Sequence, residues 1–261
     1  MPEGDTIFRT AATLRRALAG QPLVRCEIRR LPAGAPEPGT RIRSVEARGK
    51  HLLIAFGDGR VLHTHMQMSG SWHVYRSGER WRRAAAAARA ILEVPGTVAV
   101  CFSAPVVELL GEREVRAHPR LSALGPDLCS PHADLDEALA RLDRLPPETE
   151  IAVALLDQRV ACGVGNVYKS ETLFACRTDP FARVGDLDGR TRRAILATAS
   201  ELLRRNLEGG PRVTYGDGLA VYGRARRPCP RCRTPVRARR QGGSARTTYW
   251  CPSCQGTTEV T

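Results

Sequence analysis

The chain has 261 residues and a formal net charge of +13, from 40 Lys and Arg against 27 Asp and Glu. That length accommodates two modest domains, each with its own core. No stretch approaches the ~18 continuous apolar residues of a spanning helix, and no basic region followed by an apolar run opens the chain, so neither a membrane-spanning helix nor a secretory signal is expected. Lys50 and Lys169 are the two lysines, so arginine supplies nearly all the positive charge. Its bidentate fork favours phosphate and base edges, which puts nucleic acid ahead of an anionic membrane surface or a merely solvated basic face. The nine cysteines are odd in number. Cys26, Cys101, Cys129, Cys162 and Cys176 are scattered and read as small buried hydrophobes, while the other four cluster near the C-terminus. A reduced, cytoplasmic compartment and one metal site explain both groups better than a disulfide framework.

In chain order, the first predicted element is a helix over 5–19, with Ile7, Ala11, Leu14 and Leu18 at helical spacing, Asp5 as its cap and Gly20 at its end. From Pro22 to Pro126 the pattern changes to short β-like runs at 23–28, 40–47, 51–56, 60–65, 71–75, 91–94 and 97–102, with hairpin signals at Gly57-Asp58-Gly59 and Pro95-Gly96. The alanine run 84–88 has helical propensity but is short and flanked by arginines, and it stays unassigned. Around 125–131 the composition turns to Gly, Pro, Asp and Ser, a linker. Helices are expected at 134–142, 150–157, 167–174 and 191–207. From Tyr222 onward, Arg, Pro, Cys and Gly leave too little apolar surface for a core without a metal. The fold class is therefore α+β in two domains. The divisions are 1–126 for a β-sandwich with a leading helix, 127–133 for a linker, 134–222 for a helical domain and 223–261 for a metal-bound finger.

Several groups carry chemistry. If Met1 is trimmed, Pro2 presents a secondary amine of reference pKa near ~7.7–8.0 beside the Glu3 carboxylate, a possible nucleophile and acid. From these residues alone an ordinary helix start is the stronger reading. Cys229-x2-Cys232 and Cys251-x2-Cys254 have the two-knuckle spacing of a tetrahedral zinc ribbon, whose four sulfurs leave no open position, so the zinc is structural. Arg237, Arg239, Arg240 and Arg246 lie between the knuckles and suit phosphate. At Gly163-Val164-Gly165-Asn166 two helices meet, with Asn166 expected as the N-cap of the second; such a turn binds an anion or simply caps a helix. Lys50 opens a strand, and Gln67, Met68 and Ser69 precede Gly70 at a strand end, where long flexible side chains could wedge into a base stack.

Pro2-Glu3-Gly4-Asp5, Arg48-Gly49-Lys50, Gly163-Val164-Gly165-Asn166 and the stretch from Arg246 to Gln255 together resemble the formamidopyrimidine-DNA glycosylase and endonuclease VIII family, end to end and in order. The resemblance implies a bifunctional DNA glycosylase and abasic-site lyase of base excision repair. It also implies a β-sandwich followed by a helix–two-turn–helix domain bearing a zinc finger. Residue by residue, it makes Pro2 the nucleophile, Glu3 the proton donor to the deoxyribose ring oxygen, and Lys50 a contact to the phosphate near the damaged nucleotide. Asn166 and Arg246 become phosphate-binding residues. The partner implied is damaged DNA, whether duplex, bubble or single-stranded, with a monomeric, cytoplasmic protein, nucleoid-associated if bacterial, and one structural zinc ion.

Within the family, the stretch 103–110 lacks the arginine-arginine-phenylalanine loop of formamidopyrimidine glycosylases, and 210–222 is too short for the lid that covers 8-oxoguanine. Both resemble the endonuclease VIII branch, which implies oxidised pyrimidines as substrates. That branch often fills the vacated stack with Gln-Leu-Tyr, where this chain has Gln67, Met68 and Ser69. A purine-lesion glycosylase, a predominantly abasic-site lyase and a non-catalytic damage-binding protein are the alternatives.

Overall fold

The computed structural model describes residues 2–29, 34–243 and 245–256, and Met1 lies outside them. The leading helix α1 (Gly4–Leu18) buries Ile7, Ala11, Leu14 and Leu18, one stripe at helical spacing. Its N-cap is Glu3, whose extended backbone ends in a carbonyl that accepts from Ile7 N–H at 3.1 Å. Asp5 is therefore not the cap. It sits inside the first turn, where its carboxylate suits the helix dipole and accepts from Thr6 Oγ1 at 3.2 Å and Arg9 Nη2 at 3.4 Å.

The strands that follow are β1 (Arg25–Ile28), β2 (Ile42–Arg48), β3 (His51–Phe56), β4 (Arg60–His65), β5 (Ser71–Arg76), β6 (Ala88–Val94), β7 (Thr97–Phe102) and β8 (Val106–Gly111). They pair antiparallel into two four-stranded sheets, β1-β6-β7-β5 and β2-β3-β4-β8. Leu52, Ile54, Leu62, Leu92 and Cys101 pack with the α1 stripe as the main core. Alternate residues of the first sheet, Ile91, Val98, Val100 and Phe102, join Tyr75 in a second cluster on its other face, partly covered by Trp81. Apolar side chains on both faces explain why β6 and β7 read as nearly continuous apolar runs. The alanine run forms a 3-10 turn (Ala85–Ala87) that feeds β6, because Ala88 and Ala90 are needed as buried small residues in the sheet. β8 has no counterpart among the predicted strands, since Val107 is its one buried residue and leaves no alternation to read. The short helices α2 (Glu112–Ala117) and α3 (Pro119–Ser122) follow it.

The chain divides into two compact units, Met1–Ala123 and Leu124–Thr261. In the second unit, the segment expected as a linker is packed: Leu128 and Cys129 are buried, Leu128 N–H donates to Cys162 C=O at 3.1 Å, and Cys162 N–H donates to Pro126 C=O at 2.9 Å. Helix α4 (Leu135–Asp143) is capped by Asp134, whose carboxylate accepts from Glu137 N–H at 2.9 Å. The helix expected at 150–157 is a single turn, α5 (Ile151–Ala154), because Asp157 turns the chain by accepting from Arg159 N–H at 2.9 Å. Helices α6 (Asn166–Ala175) and α7 (Gly189–Arg205) pack together. Strands β9 (Arg237–Gln241) and β10 (Arg246–Trp250) form a hairpin, followed by α8 (Pro252–Gln255).

Candidate functional site

The first unit carries the N-terminal residues. Pro2 is half-buried, and Glu3 is fully buried at the helix start. Helix α1 packs on β2, tied by Arg15 Nε donating to Val45 C=O at 2.9 Å. The β2–β3 connection is the two-residue turn Gly49-Lys50, closed by the Arg48–His51 pair. Gly49 takes φ +57°, the left-handed conformation such a turn requires, and Lys50 sits half-buried at the tip. Helix start and lysine hairpin thus belong to adjoining elements of one rigid sandwich.

Gln67, Met68 and Ser69 form an exposed tip between β4 and β5, with Met68 64% exposed although it is a large apolar side chain. The base of the tip is tightly fixed. A Cβ on Gly70 would lie 2.7 Å from the Met66 Cα and 2.9 Å from the Ala104 Cα, so only glycine lets these backbones approach. Ser69 Oγ donates to Ser103 C=O at 3.0 Å, and Gln67 adopts φ +45°. Met68 is therefore presented by a preformed loop.

A histidine cluster went unrecognised in the sequence. His118 Nδ1 accepts from Arg120 N–H at 3.3 Å and Leu121 N–H at 3.4 Å, capping α3, so its proton resides on Nε2, 3.2 Å from Glu108 Oε2. The same carboxylate oxygen accepts from His63 Nδ1 at 2.9 Å, which leaves His63 Nε2 to accept from His51 Nδ1 at 2.8 Å. The helix cap thus fixes the His118 tautomer, while the Glu108 carboxylate fixes that of His63 and, through it, that of His51. Burial pushes His51 down to about 3 and His65 to about 4, reinforced by neighbouring imidazoles and cations, so these two rings are neutral at physiological pH. The donor atoms of His63, Glu108 and His118 lie within 4.8 Å of one another. A metal on His118 Nε2 would need the proton on Nδ1, where two backbone N–H groups already point, so this is a hydrogen-bonded chain rather than a ligand set. His63 and Glu108 are register partners across β4 and β8, and without β8 the sequence could not pair them.

In the second unit, the turn at Gly163-Val164-Gly165-Asn166 is organised by Gln158, which donates through Nε2 to Val164 C=O at 3.0 Å and accepts from Gly163 N–H at 3.1 Å. Gly163 takes φ +106°. The N-cap of α6 is Gly165, not Asn166, because Asn166 already has helical geometry as the first helical residue. Its side chain is committed to the finger: Nδ2 donates to Thr247 C=O at 2.7 Å, and Oδ1 accepts from Lys169 Nζ at 2.7 Å. Lys169, 1% exposed, also donates to Thr248 Oγ1 at 2.7 Å, and Thr248 donates to Gln241 Oε1 at 2.6 Å. Helix α6 and the β9–β10 hairpin are thereby joined by buried hydrogen bonds beside the exposed Arg246. Glu171 is a second buried tether, accepting from Ala220, Val221 and Tyr222 N–H at 2.8, 2.9 and 2.7 Å.

The four C-terminal cysteines come together as their spacing predicts, all sulfurs within 4.8 Å of one another. Cys232 and Cys251 sulfurs are 3.4 Å apart, and Cys229 and Cys254 sulfurs 3.9 Å. A tetrahedral ion with sulfur at ~2.3 Å sets sulfurs ~3.8 Å apart, so the cluster fits zinc. Beneath it lies a small core of Phe174, Ala220, Val221 and Val236.

Residues 1–105 match the formamidopyrimidine-DNA glycosylase N-terminal domain, and residues 124–215 match the formamidopyrimidine-DNA glycosylase H2TH domain. A Streptomyces coelicolor protein named probable endonuclease 8 2 is 41% identical, over 98% of this chain and 94% of its own. A Mycolicibacterium smegmatis protein named DNA-(apurinic or apyrimidinic site) lyase Nei2 is 39% identical, over 98% of this chain and 99% of its own. Among solved structures, MutM (Fpg) from Thermus thermophilus superposes with a TM-score of 0.81 at 31% identity, covering 99% of this chain and 100% of that one. Domains in this order, together with relatives matched over nearly their whole length, establish that the chain belongs to the formamidopyrimidine-DNA glycosylase family.

Proposed function

We propose that this DNA glycosylase and abasic-site lyase excises oxidised pyrimidines from damaged DNA and cuts the strand by β- and δ-elimination. The observation that carries the reading is the pair Pro2-Glu3, half-buried and fully buried, at the start of a helix packed on the sheet that bears Lys50. With Met1 removed, the Pro2 amine attacks C1′, the base departs, and a cationic iminium remains. Glu3 protonates the ring oxygen as the sugar opens. The iminium then acidifies the C2′ proton, whose loss expels the 3′ phosphate, and a second elimination expels the 5′ phosphate. Lys50 holds the neighbouring phosphate, and Gln67, Met68 and Ser69 occupy the space left by the extruded nucleotide.

The same reading makes residues 1–126 the catalytic domain, 134–222 the DNA-binding helical domain and 223–261 the finger, in a cytoplasmic monomer. Cys229, Cys232, Cys251 and Cys254 would hold one zinc ion, which supplies rigidity rather than an open coordination site. Arg246 grips phosphates, and Asn166 contributes the amides of its helix start while its side chain aligns the hairpin. The pyrimidine preference is supported by the relatives named endonuclease 8 and by two local features. The stretch 103–110 is largely taken up by the edge strand β8, and 210–222 closes as a short turn tethered by Glu171. Mainly abasic-site cleavage is the second reading, favoured by the name of the M. smegmatis relative.

Borohydride trapping tests the mechanism. Wild type should form a permanent adduct with abasic-site DNA, and Pro2→Gly should lose it together with base excision; equal trapping by the variant would refute the nucleophile. Oligonucleotides carrying thymine glycol, 8-oxoguanine or an abasic site separate the readings, and equal excision of 8-oxoguanine would overturn the pyrimidine preference.

A further inference from the structure

Between β5 and β6, residues 79–85 border an open hollow of about 600 Å³. Arg80 and Arg82 are exposed there, and none of Arg80, Arg82 and Arg83 is in an ion pair among the described residues. The adjacent carboxylate, Glu79, accepts from Arg76 N–H at 3.0 Å and forms no ion pair with these arginines among the described residues. Unpaired arginines on a loose loop would be an ordinary solvated face, but this loop is clamped. Trp81 stacks on Tyr75 with centroids 6.4 Å apart and meets Phe102 edge-on at 5.8 Å. Arg82 N–H donates to Tyr75 Oη at 3.2 Å. Arg83 Nη1 donates to Ser71 Oγ at 2.8 Å and to Ser69 C=O at 3.5 Å, with its guanidinium over the Phe102 ring. Arg83 therefore ties the basic loop directly to the base of the 67–69 tip.

We propose that residues 80–83 form a second DNA-backbone contact surface, in which Arg80 and Arg82 bind phosphates beside the nucleotide that the tip displaces and Arg83 holds loop and tip in register. The inference rests on the proposed role of the tip but not on the chemistry at Pro2. Arginines carried on a clamped backbone, with no ion pair to break, release condensed counterions when they bind phosphate, so each contact should appear in the salt dependence of affinity.

The test measures affinity of the full-length protein for abasic-site duplex across a salt series. Replacing both residues in Arg80→Ala/Arg82→Ala should weaken binding about tenfold and lower the log–log salt slope by about two. Arg113→Ala/Arg116→Ala, which removes the same charge from exposed positions on α2, should leave the slope unchanged. An unchanged slope in the first variant, or an equal fall in both, overturns the surface. Trapping of wild type scores the catalytic reading separately: a slope that falls as expected in a protein that does not trap would retain this surface and reject the mechanism at Pro2.

Discussion

A lysine with 1% exposure is held by a carboxamide and a hydroxyl, so its ammonium is positioned rather than available to DNA. Lys169→Met keeps most of the volume but leaves Asn166 Oδ1 and Thr248 Oγ1 short of a donor. Hydrogen bonds to a charged group contribute roughly 1.5–3 kcal/mol, so the hairpin should lose its alignment with α6. DNA affinity should fall about tenfold with zinc content unchanged. Combined with Arg246→Ala the effects should be less than multiplicative, whereas simple multiplication would show that Lys169 does not act through Arg246.

At the scale of elements, the loop joining β4 to β5 depends on backbone contact. Gly70→Ala must separate Met66 from Ala104, an overpacking that costs about 1–3 kcal/mol and moves the tip. A lowered Tm should accompany a greater loss of base excision than of abasic-site cleavage, since the latter has no base to extrude. The β3-β4-β8 sheet has its own signature in pH. His51 and His65 face His63, His118, Arg120 and Lys50, and burial foremost holds their folded pKa values below the ordinary 6.5. Protonation therefore favours the unfolded chain: stability is full above about pH 6.5 and declines as pH falls toward about 4 and then 3. Urea midpoints at pH 7.5 and 5 should show the decline, and His51→Gln should flatten it; parallel curves would dissociate the cluster from acid stability.

Across the whole molecule, the sandwich and the finger hold different kinds of core. The sandwich buries an extensive apolar cluster, while the finger has few apolar residues beside its four sulfurs. Cys251→Ser should abolish zinc retention, disorder the hairpin and weaken DNA binding, yet leave a sandwich melting transition near the wild-type temperature. Unchanged zinc stoichiometry would count against the four-thiolate site.

Local pattern by itself determined the leading helix, most sandwich strands, the long helices and the two cysteine knuckles, because each is written as periodicity or spacing over a short stretch of chain. The residues proposed for chemistry were likewise legible as short motifs. Tertiary structure alone decided what depends on partners far along the chain. Only register across β4 and β8 brings His63 to Glu108, and only the hairpin's seat on α6 turns Asn166 toward Thr247 rather than leaving its side chain open to a ligand. Arg83 is one more arginine in a chain full of them until the sheet brings Ser69, Ser71 and Phe102 around it. Hydrogen-bond geometry between distant strands has no one-dimensional signal, since it arises when the core fixes which faces meet.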